Sequence, residues 1–406
     1  MKILNQGITA PQGFQAAGLF AGLKRKKKDM ALIYSAVPCI AACAFTTNQV
    51  KAAPVLYNQK LYQQQTPIQA VIINSGNANA CTGEAGYKNT ETMAMLTAQA
   101  LNLSADNVMV NSTGVIGVQL PMNVIGSGIQ QLVPALDEGE QADADASQAI
   151  LTTDTFTKTI CVEIIINQKP VKIAAMAKGS GMINPNMATM LSYVTTDAAV
   201  EQKTFRAMLS DCILDSYNML SVDGDTSTND TVICLANGLA GNDPITATHP
   251  DYEAFKEAFY YVNQFMAKQI ARDGEGATKL LCVKVLAADT KDHARKIALS
   301  VIQSSLVKTA IFGEDANWGR VLCAMGYAGV AFDPDKVILS FQSDRGEILL
   351  YQEGKPIDFN EEEALKILQA HDINILINMQ NGTASAESFG CDLSYEYVKI
   401  NGEYRS

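Results

Sequence analysis

The stretch Lys178-Gly179-Ser180-Gly181-Met182-Ile183-Asn184-Pro185-Asn186-Met187-Ala188-Thr189-Met190-Leu191 decides how this chain is read. Glycine, serine, proline and two asparagines crowd it in a pattern that follows neither a helical nor a strand period, which predicts a tight loop. The loop runs into the largely apolar segment 188–193, so Thr189 stands where loop gives way to strand. A loop exposes a side chain while the adjoining element holds it still, a favourable place for a reactive hydroxyl. A threonine needs a base to become a nucleophile, and one solution is to make it an N-terminus, whose own α-amino group takes the proton. Here that requires a cut between Ala188 and Thr189.

Upstream of this loop, strand text covers 31–35, 42–46 and 70–74, the last ending in the loop Asn74–Gly83. Helical spacing of Met93, Leu96, Ala100 and Leu103 predicts a helix over 89–103. A short strand at 108–111 opens into Ser112-Thr113-Gly114, a helix covers 124–133, the acidic stretch 137–149 is a helix or surface linker, and 162–173 reads as a hairpin around Asn167-Gln168-Lys169-Pro170. Downstream come helix text at 201–219, a strand at 231–235, helix text at 250–271 and a strand at 279–287. From about 290 a helix, a glycine-rich loop at Gly313 and several short elements suggest a smaller C-terminal α/β unit. The alternation predicts an α/β fold of layered sheets and helices, and the 406-residue length predicts two domains or two halves sharing one core.

Composition excludes several function classes. A net charge of −11 argues against nucleic acid as the main partner, and the one basic run, Lys24-Arg25-Lys26-Lys27-Lys28, reads as a solvated turn. The N-terminus lacks a signal-peptide pattern and no apolar run approaches the roughly 20 residues of a membrane helix, so a cytoplasmic protein is expected. Nine cysteines include no C-x-x-C pair and mostly sit in apolar text, as small buried hydrophobes do in a reducing compartment. Three histidines, His249, His293 and His371, stand apart from any glycine-rich loop, which disfavours Ser-His-Asp or Cys-His catalysis. Asp223-Gly224-Asp225 begins like a calcium loop, but its twelfth position is Cys234, so no metal is assigned.

Five loops carry more Gly, Asn, Thr and Asp than turns require: 74–83, 111–114, 223–230, 273–279 and 313–320. Together they predict a polar pocket built by strand ends. Thr113-Gly114 offers a hydroxyl and backbone N–H groups where glycine permits close approach, as an oxyanion hole needs; a threonine-capped turn is the bland reading of the same residues. Lys178 suits a carboxylate ligand or a lowered neighbouring pKa, against an ordinary exposed loop lysine.

The run 178–191, with Phe45-Thr46-Thr47-Asn48, Ala52-Ala53-Pro54-Val55, Asp273–Lys279, Asp315–Arg320 and Gly390–Ser406, resembles the ornithine acetyltransferase family, also called the glutamate N-acetyltransferase family of arginine biosynthesis. The resemblance spans essentially the whole chain. It implies the layered fold of the self-cleaving acetyltransferase and aminopeptidase type. It further implies a precursor cut at Ala188-Thr189 into an α chain, 1–188, and a β chain, 189–406, that pair as α2β2; within the β chain, 189–288 completes the catalytic core and 289–406 is a smaller α/β domain whose end returns to the active site. By the same resemblance Thr189 takes acetyl from N2-acetyl-ornithine and passes it to glutamate without a cofactor, while Thr113 and Gly114 form the oxyanion hole. Thr152, Lys178, Thr189, Glu275, Asn401 and Ser406 match substrate-binding positions, Ser406 standing where some members carry threonine. Family members with and without use of acetyl-CoA share these motifs, so acetyl-CoA is a candidate second donor. Two other readings stay open: an aminopeptidase of the related self-cleaving fold, and an uncleaved binding protein with a dead site.

Overall fold

The two apolar runs at 31–35 and 42–46 are a single sixteen-residue strand, Met30–Phe45. Pro38, exposed within it, has no N–H to donate, and the pairing to the neighbouring strand slips between Tyr34 and Cys39. The strand therefore continues through a break that sequence reads as an end. A computed structural model describes residues 1–184 and 190–403 of the chain; Ala188, Thr189 and Ser406 lie outside the described residues.

Two compact units emerge. The first is Met1–Gly179 with Asn186–Ile213 and Thr226–Met266; the second is Ser180–Pro185, Leu214–Asp225 and Ala267–Ser406. Along the chain run β1 (Lys2–Leu4), β2 (Phe14–Leu19), β3 (Met30–Phe45), β4 (Ile68–Asn77), β5 (Val108–Val115), β6 (Lys158–Ile166), β7 (Lys169–Lys178), β8 (Leu191–Thr196), β9 (Leu220–Ser221) and β10 (Thr231–Ala236). All but β9 belong to the first unit, whose sheet has the order β1-β6-β7-β8-β10-β3-β4-β5, with β2 also on β3.

The long β3 serves both halves of that sheet. Its first residues pair with β2 and β4, and its last six pair with β10, Phe45 opposite Thr231. One buried cluster accordingly draws on both halves, from Ile72 and Val110 to Met176, Tyr193 and Leu235. Four helices, α1 (Ala53–Gln64), α2 (Gly83–Leu101), α3 (Met122–Leu132) and α4 (Glu140–Ala149), cover it. The acidic stretch is thus a helix, and α2 begins six residues earlier than its apolar spacing suggests, since Gly83 opens it without a side-chain cap. The predicted hairpin forms and extends to 158–178 around Asn167 and Gln168, both at positive φ (48° and 62°), as a two-residue turn of this twist demands.

In the second unit, β11 (Leu280–Ala288), β12 (Ile338–Ser343), β13 (Gly346–Gln352), β14 (Lys355–Pro356), β15 (Asp372–Asn378) and β16 (Ala384–Cys391) form with β9 a sheet of order β14-β13-β12-β15-β11-β16-β9. Its apolar side, with Val283, Leu339 and Ile375, packs against a helix at Lys291–Gln303 in a separate core. Seven of the nine cysteines are buried, Cys81 and Cys323 being exposed. No helix among the described residues is long and apolar enough to cross a membrane.

The basic run is more than a solvated turn. Buried Asp29 accepts the amides of Ala21, Gly22, Leu23 and Lys24, which closes the loop on itself. The Lys24 ammonium is then half-buried and donates to the carbonyls of Lys28 (2.9 Å) and Leu151 (2.6 Å). Burial, first, brings its pKa down to about 8.

Candidate active site

The strand ends of the first unit carry the predicted donors. β4 and β5 run parallel, placing Ser75 opposite Thr113 and Gly76 opposite Gly114. The two strands come so close there that a Cβ on Gly114 would lie 2.4 Å from the Gly76 carbonyl carbon, and its φ of +133° is one that L side chains rarely adopt. Glycine is therefore dictated by geometry. Polar side chains tie the neighbouring loop down: Ser112 donates to Asn74 at 2.6 Å, and Asn229 donates to the carbonyls of Ala78 and Ser112 at 2.6 and 2.8 Å. Thr113 is buried, and the Nζ of Lys178, buried at the end of β7, donates to its Oγ1 at 3.3 Å. The exposed-lysine reading of Lys178 is thereby excluded.

Asp154 organises the floor beneath Lys178. Its carboxylate accepts the Lys158 ammonium (2.7 Å), the Gly179 amide (2.7 Å) and the Thr152 amide (2.9 Å). Burial alone would raise this carboxyl; the charges of Lys178 and Lys158 and these hydrogen bonds outweigh it and hold the pKa well below the usual carboxylate range. Thr152 is thus positioned by the same carboxylate that faces Lys178.

Met190, the first described residue after Thr189, is held on both sides. Its amide donates to Asp230 Oδ1 at 3.0 Å and its carbonyl accepts from the Thr231 amide at 3.1 Å, extending the parallel pairing of β8 with β10. The motif at 45–48 supports this corner: the Thr46 hydroxyl donates to the Ser227 carbonyl and Asn48 to that of Thr226, at 2.7 and 2.9 Å.

In the second unit, the glycine-rich loop 180–184 is clamped by carboxylates and carbonyls. Asp223 accepts the amides of Met182 (2.6 Å) and Ile183 (2.8 Å), so both of its oxygens are engaged on the backbone. Ser180 donates to the Asp273 carbonyl at 2.7 Å and accepts the Glu275 amide on its own carbonyl at 3.0 Å. Glu275 is buried, and Asn401 donates to its Oε2 at 2.8 Å, so two predicted substrate-binding residues 126 positions apart meet here. A Cβ on Gly181 would fall 2.3 Å from the Glu275 carboxyl carbon, which requires glycine. Asp392 accepts the amides of Thr278 and Lys279, joining the 273–279 and 390–406 motifs.

The structure therefore brings together Thr113, Gly114, Lys178 and Thr152 in one unit, and Glu275 with Asn401 in the other. Asp154 and Asp230 were given no role by sequence reasoning. Each closes on a backbone amide 25 or 40 positions away, and no local pattern signals that.

Known proteins resemble this chain along its full length. The arginine biosynthesis bifunctional protein ArgJ of Caldanaerobacter subterraneus subsp. tengcongensis is 49% identical over 406 residues, covering 100% of both chains. The protein of the same name from Symbiobacterium thermophilum is 50% identical over 409 residues, again covering 100% of each. A crystal structure of arginine biosynthesis bifunctional protein argJ from Bacillus halodurans, 43% identical, superimposes with a TM-score of 0.51 over 53% of this chain and 100% of that one. With these likenesses, a layered α/β scaffold bearing hydroxyl and amide donors at its strand ends is an acyltransferase of arginine biosynthesis. The chain belongs to the ArgJ family, which it matches over residues 15–406. That membership leaves the aminopeptidase reading with less support.

Proposed function

We propose that the chain cuts itself between Ala188 and Thr189 and then uses Thr189 to carry acetyl from N2-acetyl-ornithine to glutamate. The observation that carries this reading is the arrangement at Thr113: a buried hydroxyl in contact with the Lys178 ammonium, beside a glycine whose conformation and close packing exclude any side chain. Donors of that kind stabilise the oxyanion of a tetrahedral intermediate, in the cut and in the transfer alike.

In maturation the Thr189 hydroxyl adds to the Ala188 carbonyl, the peptide C–N bond breaks, and water hydrolyses the ester. The freed α-amine, with a reference pKa of about 7.7–8.0, is partly neutral at cellular pH and serves as base without any histidine. In each turnover the hydroxyl attacks the acetyl carbonyl, ornithine leaves, and glutamate accepts the acetyl group from the threonine ester. By the resemblance Thr152, Lys178, Thr189, Glu275, Asn401 and Ser406 bind substrate, a lysine with hydroxyl and amide donors suiting an α-carboxylate and a glutamate suiting a cationic amine. No cofactor enters this cycle. The relatives are named bifunctional, and the second activity read for this chain is acetyl transfer from acetyl-CoA to glutamate. Support for the cut comes from the solved relative, a chain whose whole length corresponds to 53% of this one, close to the share that 189–406 makes up. The α and β chains then stay together, as α2β2 in the cytoplasm.

Denaturing electrophoresis with N-terminal sequencing tests the reading. Two bands are expected, one beginning at Thr189, with a single uncut band for Thr189→Ala. A full-length band in both proteins, or transfer unaffected in Thr189→Ala, would overturn it.

A further inference from the structure

Among the described residues, Asp230 is the one carboxyl that the mechanism above leaves unused although it touches the residue next to the nucleophile. Its Oδ1 accepts the Met190 amide at 3.0 Å, while Oδ2 is buried and has no hydrogen-bond partner among the described residues. An unpaired oxygen in a residue only 1% exposed is costly unless something pairs with it. The charged group acting on it is Lys178, from β7; Thr46, just after β3, and the backbone of Ser227, from its own loop, are its uncharged polar neighbours. Burial outweighs all of these and pushes this carboxyl well above its ordinary range, toward the protonated form.

Covalent geometry bounds how far the nearest new charge can lie. Whatever conformation residue 189 takes, its backbone nitrogen is three bonds from that of Met190 and so no more than about 3.7 Å from it. A cut at Ala188-Thr189 turns that nitrogen into an amine beside a buried carboxyl with one oxygen unused.

We propose that Asp230 is a positioning residue for the nucleophile: one oxygen anchors the peptide group after Thr189, and the other receives the α-ammonium that cleavage creates. This rests on the reading of Thr189 as a cleaved N-terminal nucleophile. The proton account balances. On cleavage the amine and the carboxyl share one proton, held as a carboxylate–ammonium pair. In the base-competent form the ammonium has lost its proton to solvent. When the hydroxyl attacks, its proton passes to the amine as the oxygen–acetyl bond forms, and the carboxylate stabilises the ammonium until the leaving amine of ornithine takes that proton away. A base oriented by a third group is how hydroxyl nucleophiles are commonly activated.

The test is the pH dependence of acetyl transfer in Asp230→Asn, which keeps an acceptor for the Met190 amide. A carboxylate beside an amine favours the ammonium and raises its pKa, so removing the charge lowers it. The acid limb of kcat/KM is expected to move to lower pH by about one unit or more, with the plateau at least about tenfold lower. A variant that matures and shows a wild-type limb and plateau overturns the proposal.

Should Asp230→Asn fail to fold, infrared spectra of carboxyl-labelled aspartate decide with the wild type and Thr189→Ala alone. A carboxylic-acid band that titrates at lower pH in the mature enzyme than in uncut Thr189→Ala is expected; identical titrations overturn the proposal. An uncut wild type defeats this role together with the cleavage reading, whereas a cut, active enzyme with an unmoved profile defeats this role only.

Discussion

The Nζ of Lys178, at the end of β7, donates to the Oγ1 of Thr113, at the end of β5, across 3.3 Å. The contact turns the threonine's own proton away from the lysine, so the hydroxyl is free to donate to an oxyanion. Thr113→Ala is expected to slow both autocleavage and acetyl transfer by about 100 to 1,000-fold, the usual cost of one lost oxyanion donor. Time courses of cleavage and single-turnover acetylation measure the two effects; normal maturation with lost transfer would refute a shared hole.

Gly114→Ala and Gly117→Ala make a matched pair. Both glycines have positive φ, +133° and +83°, but a Cβ at 114 meets backbone of Gly76 and Asn77 at 2.4 and 2.6 Å, whereas at 117 nothing lies within 4 Å. The first substitution is expected to destabilise by more than about 3 kcal/mol or to prevent maturation, the second by about 1 kcal/mol, from strain alone. Urea unfolding midpoints compare them.

Asp154→Asn removes the negative charge that pairs with the Lys158 ammonium, and the side chains of that pair are both 0% exposed. Leaving one buried charge unpaired costs about 3–5 kcal/mol. The pH dependence has a definite sign. The folded carboxyl titrates below the 3.8 of the free group, so its stabilisation is complete above that value and is lost as pH falls through the folded one. Wild-type stability should therefore decline in acid from about pH 5 downward with a slope that Asp154→Asn lacks.

Glu275→Gln keeps an acceptor for Asn401 but loses the charge. A hydrogen bond to a charged group contributes about 1.5–3 kcal/mol, so KM for N2-acetyl-ornithine should rise roughly 10 to 150-fold with a smaller effect on kcat. Gly181→Ala should reproduce part of this rise without unfolding the protein, because its Cβ would displace the Glu275 carboxyl. Steady-state kinetics with each substrate varied separately would expose a contrary result, a kcat loss with KM unchanged.

Lys24 predicts a rise of stability with pH. Its folded pKa, about 8, lies below the 10.5 of the free group, so the unfolded chain binds more protons between the two values and unfolding free energy increases across that window. The difference in stability between wild type and Lys24→Met should change over pH 8 to 10 and stay flat from pH 6 to 7. Equal slopes in both proteins would show the ammonium to be solvated after all.

Much of this was readable from residues alone, and the failures share a cause. The strand before Thr113-Gly114, the hairpin ending at Lys178 and the helix Tyr252–Arg272 all announce themselves through local apolar period and turn chemistry. The helix Ala53–Gln64 did not, for its apolar spacing is weak and its place is set by buried packing of Val55, Tyr57 and Leu61. Pro38 disguised one strand as two. The ammonium of Lys24 reaches a carbonyl 127 positions away, and Asp230 an amide 40 positions away. Such roles are written in the fold, where distance along the chain no longer counts.

The order of strands in the first unit also says what a cut after residue 188 can and cannot accomplish. β8 lies between β7 and β10, and β10 lies against β3, so strands from beyond the cut are laced between strands from before it. The second unit likewise contains Ser180–Pro185 from before the cut amid residues from after it. Severing the chain there would free an amine without freeing a fragment: the two pieces could part only by tearing the sheet open, and each would be left without the partners that make it fold.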